Sequence, residues 1–107
     1  MLRINIPIVK LFAVTYDLRQ PGRKYNELYD AIKNVAGEGN WQHPMESFWV
    51  LAFSELSSRN SNELYEEFRK YIDANDSLFV VRIDDSERQG WMPKSFWDWV
   101  KEKKEQI

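Results

Sequence analysis

From Val9 to Asp17 the chain reads Val-Lys-Leu-Phe-Ala-Val-Thr-Tyr-Asp, and this stretch limits what the protein can fold into. Apolar residues sit at consecutive positions there, not at every second one. Neighbouring side chains of a strand point to opposite faces, so a strand built this way buries both of its faces. The same doubled pattern recurs in Ser47-Phe48-Trp49-Val50-Leu51-Ala52-Phe53 and in Leu78-Phe79-Val80-Val81-Arg82-Ile83. The fold must therefore find cover for two sides of a sheet.

Helical spacing separates these runs. Tyr25, Leu28, Tyr29, Ile32, Val35 and Ala36 form one apolar stripe, with Asn26, Glu27, Asp30 and Lys33 opposite, and Gly37 and Gly39 end it. Trp41 to Met45 predicts a short extended piece interrupted by Pro44. Asn60 with Glu63 three positions on resembles a capping box. It opens a second helix with Leu64, Tyr65, Phe68, Tyr71 and Ile72 inward and a Glu66–Lys70 pair on the wet side. Pro93 suits the first turn of a last helix carrying Phe96, Trp97, Trp99 and Val100. Residues 1–8 alternate apolar and polar around Pro7, which fits either an extra edge strand or a loose extension. The expected fold is a single α+β domain over 1–107, a ferredoxin-like βαββαβ sandwich with a helical appendage at 91–107.

With 107 residues, 43% of them hydrophobic and 15% aromatic, the chain has enough apolar matter for one core. It contains no cysteine, which excludes disulfides and thiolate metal sites. No apolar run approaches the ~20 residues that span a bilayer, and the first residues lack the pattern of a signal peptide. A cytoplasmic protein with no membrane partner is expected. The net charge of −2, from 17 acidic and 15 basic residues, argues against a strong non-specific nucleic-acid binder.

Two long helices on one sheet face leave the other face to the terminal helix and, for the remainder, to a second copy of the chain. Left bare, it would exceed the roughly 300–600 Å² apolar patch normal for a monomer. A homodimer packed sheet to sheet is expected, with Phe12, Val14 and Tyr16 at its interface.

The chemistry-bearing residues gather at the end of the first strand. Asp17 is followed by Arg19, Arg23 and Lys24, a local basic group able to neutralise a phosphate, with Ser47 opening the next long strand. Two Asp17 carboxylates facing across a two-fold axis would hold Mg²⁺ or Mn²⁺ between hard oxygen ligands. The simpler reading makes Asp17 a turn residue that accepts N–H groups from Leu18 to Gln20, and the basic triplet a solvated loop. His43, beside Pro44, reads as a surface or hydrogen-bonded residue. The five tryptophans read as core and interface residues more than as a base-stacking platform. Asp84, Asp85 and Glu87 read as a solvated turn, and Lys101, Lys103 and Lys104 as a solvated helix face.

The order of elements, with Tyr16-Asp17 closing the first strand, Ser47-Phe48 opening a later one and Asp76-Ser77 before the last, resembles the CRISPR-associated protein two family. It is also similar to the virulence-associated protein D toxins of the same fold. The likeness covers roughly residues 10–83. It implies a homodimer whose paired aspartates, here Asp17, bind a divalent metal and cleave phosphodiesters of RNA or DNA. A second expectation, from a different class, is an inert dimeric interaction module on the same fold: an antitoxin, regulator or immunity protein with a protein partner.

Overall fold

The computed structural model describes residues 9–19, 25–84 and 86–104. The possible edge strand at 1–8, together with Arg23, Lys24 and Asp85, lies outside them. Four strands and three helices follow in the order β1 (Val9–Asp17), α1 (Tyr25–Ala36), β2 (Trp41–Met45), β3 (Phe48–Ser54), α2 (Ser61–Phe68), β4 (Ser77–Arg82) and α3 (Lys94–Lys104). They build one antiparallel sheet of order β2-β3-β1-β4. The molecule is thus an α+β fold with the two most apolar strands, β1 and β3, at the centre. Among the described residues no helix is long and apolar enough to cross a membrane.

The register sorts the doubled apolar pattern into two cores. Phe12 pairs with Leu51 and Val14 with Trp49, which puts these side chains and Tyr16 on one face. There Leu28, Ile32 and Ala36 of α1 and Leu64 and Phe68 of α2 close over them. Both long helices share that face, as the order of elements leads one to expect. Phe12, Val14 and Tyr16 are 1%, 0% and 5% exposed, so they are not available to a second copy. Their expected place at a dimer interface is corrected: strand alternation aims them at the chain's own helices. On the opposite face lie Val9, Leu11, Val50 and Ala52, and the cover is α3, through Phe96, Trp99 and Val100.

Local chemistry sets the element ends. Gly37 stops α1 with φ +90°, a conformation that side chains with a Cβ rarely adopt, and its N–H reaches the Lys33 carbonyl at 2.8 Å. The Asn60 side chain caps α2 by accepting from the Glu63 N–H at 2.8 Å. Pro44 is tolerated because β2 is an edge strand whose pairing with β3 shifts register between Gln42 and Met45.

Two details of α2 depart from its sequence pattern. The helix tightens into a 3₁₀ turn at Arg69–Tyr71, which brings residues three apart into line. Lys70 therefore pairs with Glu67 at 2.8 Å and Arg69 with Glu66 at 3.3 Å, in place of the Glu66–Lys70 pair. Tyr65 is 38% exposed beneath Arg69 and does not join the inward face.

Candidate functional site

Asp17 ends β1 opposite Ser77 of β4, and its side chain is 69% exposed. It borders an open depression of about 300 Å³ with Tyr16, Leu18, Tyr25, Glu46 and Ser47. The floor of this depression is held from below. The Glu46 carbonyl accepts from the Tyr16 hydroxyl at 2.8 Å, the His43 Nε2 at 2.9 Å and the Tyr29 hydroxyl at 3.2 Å. Because a carbonyl only accepts, the His43 proton resides on Nε2. The Trp49 indole N–H donates to the Tyr16 hydroxyl at 2.9 Å, and the His43 ring stacks on Trp49 with centroids 3.8 Å apart. Ser47 adds its carbonyl as acceptor for the Tyr16 N–H at 3.3 Å. The turn between β2 and β3 is thereby fixed to the end of β1.

Two carboxylates, Asp17 and Glu46, belong to residues that line the depression, with the Arg19 guanidinium beside Asp17. Burial pushes the Tyr16 hydroxyl well above its ordinary value. Tyr25 is raised first by partial desolvation and then by the charges of Glu46 and, further down, Asp17. Arg19 places its Nε 3.4 Å from the Asp17 carboxylate, while its N–H donates to Asp76 Oδ1 at 2.8 Å. Asp76 thus caps this turn, and its Oδ2 also takes the Asp73 N–H at 2.8 Å. The sequence Asn75-Asp76-Ser77 carries that signal, since Asp favours such turns.

The expected site residues come together only in part. Asp17 and Ser47 line one depression, and Arg19 stands beside Asp17. Among the described residues no three His, Asp or Glu side chains converge as a metal-binding group. Asp17 faces a guanidinium, and Asp76 is occupied by backbone donors. Among the described residues, one protomer's donors do not make a set that fits a divalent cation.

A second surface stands out on the sheet face that α3 covers. Register places Thr15 opposite Phe79 and Ala13 opposite Val81, so Phe79 and Val81 share that face with Asp17. α3 stops short of them: Phe79 is 61% and Val81 37% exposed. Beside them, between the sheet and the segment 86–97, lies an apolar groove of about 260 Å³ walled by Ala13, Phe48, Val50, Ile83, Phe96 and Trp97. Trp91, on the segment that frames the groove, is fully exposed. Of the other tryptophans, Trp49 is fully buried, Trp99 is 8% exposed, and Trp41 and Trp97 are half-buried.

The predicted solvated turn at Asp84 is corrected. Asp84 is 2% exposed and receives a bidentate Arg82 guanidinium at 2.6 and 3.0 Å and the Leu11 N–H at 3.3 Å. Its burial would raise the carboxyl, but the Arg82 contact and the N–H donors outweigh it and hold the group below its ordinary value. The lysines of α3 are also more than a wet face. Lys104 donates to the Asp84 carbonyl, and Lys103 reaches Asn40 Oδ1 at 2.9 Å.

Compared with protein-family models and with curated proteins, the chain matches none.

Proposed function

We propose that the protein is an interaction module that works as a homodimer on the ferredoxin-like plan, with two copies meeting through the partly covered sheet face. Support for the plan comes from the strand-helix-strand-strand-helix-strand order and the central placing of β1 and β3. The observation that carries the function is the exposure of Phe79 and Val81 beside an apolar groove on an otherwise covered face. Single exposed apolar residues are ordinary, whereas a contiguous apolar surface marks an interaction site. Phe79→Glu tests it by sedimentation at micromolar concentration. Dimers are expected from the wild type and monomers from the variant, with circular dichroism unchanged. A monomeric wild type overturns the reading.

One observation favours a second reading, metal-dependent phosphodiester cleavage. Asp17 is exposed on the same face as Phe79, at the rim of a depression that also holds Glu46 and Ser47. Pairing through that face would bring two Asp17 carboxylates toward one axis. Under this reading RNA or DNA is cut in Mg²⁺ or Mn²⁺ and the cutting is lost in Asp17→Asn. Cleavage that survives in Asp17→Asn removes Asp17 from the chemistry. A wild type that dimerises without cutting leaves the interaction module alone.

A further inference from the structure

We infer that the two copies lock by exchanging Trp91, the indole of each filling the groove of the other. This rests on the homodimer reading above and names its anchor. Trp91 makes no use of its surface within the protomer, being fully exposed. It projects from the segment that also supplies Gly90 and Met92 to the groove wall. A knob and a socket thus sit side by side on one surface, which is the condition for an isologous two-fold contact: what one copy offers, the other receives. The sizes agree. A cavity of about 150 Å³ holds a benzene ring, and the groove, at about 260 Å³, has room for the two fused rings of an indole. Buried tryptophans are also the side chains on which interfaces most often depend.

Charge at the rim selects a second copy over a polyanion. Glu87 and Arg88 border the groove next to each other, with Glu87 exposed and Arg88 partly engaged by the Ile83 carbonyl at 2.8 Å. In the proposed exchange, a two-fold axis passing beside this pair would let the Glu87 of each copy meet the Arg88 of the other. A rim with one charge of each sign, on a chain that carries −2, offers no net positive field to a nucleic acid.

Sedimentation of the full chain with two single variants tests the exchange. Trp91→Ala removes the knob without touching any core, and Gln89→Trp fills the socket from its exposed rim. Each alone is expected to weaken the dimer at least about tenfold, the usual effect of truncating an interface anchor. Mixed together, they are expected to recover part of the affinity, because one knob then meets one open socket. Trp91→Ala with the wild-type dissociation constant overturns the exchange and leaves dimerisation standing. A wild type that stays monomeric to about 100 μM overturns both. A monomeric wild type that takes up free indole assigns the groove to a small aromatic ligand, again against the proposal.

Discussion

Glu46 contributes to the depression at the end of β1 through its backbone as much as through its charge. Three side-chain donors converge on its carbonyl, and one of them, Tyr16, simultaneously satisfies the buried Trp49 N–H. Such a network keeps a turn in place because moving Tyr16 away would leave the buried Trp49 N–H without an acceptor. Asp84 shows the same logic with a charge. Its folded-state value lies below that of the unfolded chain, so its contribution is present above the ordinary carboxylate range and is lost as pH falls through and below about 4. Asp84→Asn is expected to cost about 1–3 kcal/mol near neutral pH in urea unfolding. It should also flatten the fall in stability between about pH 5 and 3 relative to wild type. An acid limb that is identical in the two proteins would show that Asp84 does not drive it. Nothing near Asp84 in the sequence distinguishes it from a wet turn carboxylate. Arg82 is a local partner two residues back, whereas the Leu11 N–H and the burial itself come from the pairing of β1 with β4.

The decisive element is α3. Phe96, Trp99 and Val100 cover Val9, Leu11, Val50 and Ala52, and the helix is pinned by the Trp99 indole N–H on the Gly39 carbonyl at 2.9 Å. Trp99→Ala removes both the packing and the pin, with an expected cost of about 3 kcal/mol in chemical denaturation. A loss under about 1 kcal/mol would mean that the sheet face tolerates an uncovered state. The helix itself is legible from its apolar spacing and from Pro93. Its docking position is not, because the same stripe would pack equally well on any apolar surface. β4 illustrates the complementary limit. Its residues read as a strand buried on both faces, yet Phe79 and Val81 are exposed. A run of apolar residues does not reveal that its strand will lie at an edge, outside the reach of the covering helix.

For the whole molecule the doubled apolar strands pose one question, namely what keeps the second face dry. α3 answers it over β3 and the start of β1, and the proposed second copy answers it over β4. An interface built on Phe79, Val81 and Trp91 is driven by apolar burial, which salt screens little. Its dissociation constant is therefore expected to change by less than about threefold between low and high ionic strength. Sedimentation at 0.05 and 0.5 M salt, which spans most of the screening range, checks this. A drop of tenfold or more in affinity would point to a charge-driven contact instead. The balance of 15 basic against 17 acidic residues foretells this weak dependence. The paired-aspartate expectation is of a different kind: it depends on where a two-fold axis falls, which no single protomer defines.

By itself the sequence determined which segments are strands and helices, that the sheet is apolar on two sides, and that Asp17 stands at a strand end. Those properties follow from the periodicity and chemistry of neighbouring residues. The tertiary structure decided which face each apolar side chain took, that Asp84 was buried, and that Phe79 and Trp91 were left in solvent. Those outcomes depend on strand order and on where α3 docks, contacts between residues far apart in the chain, and local spacing carries no record of them.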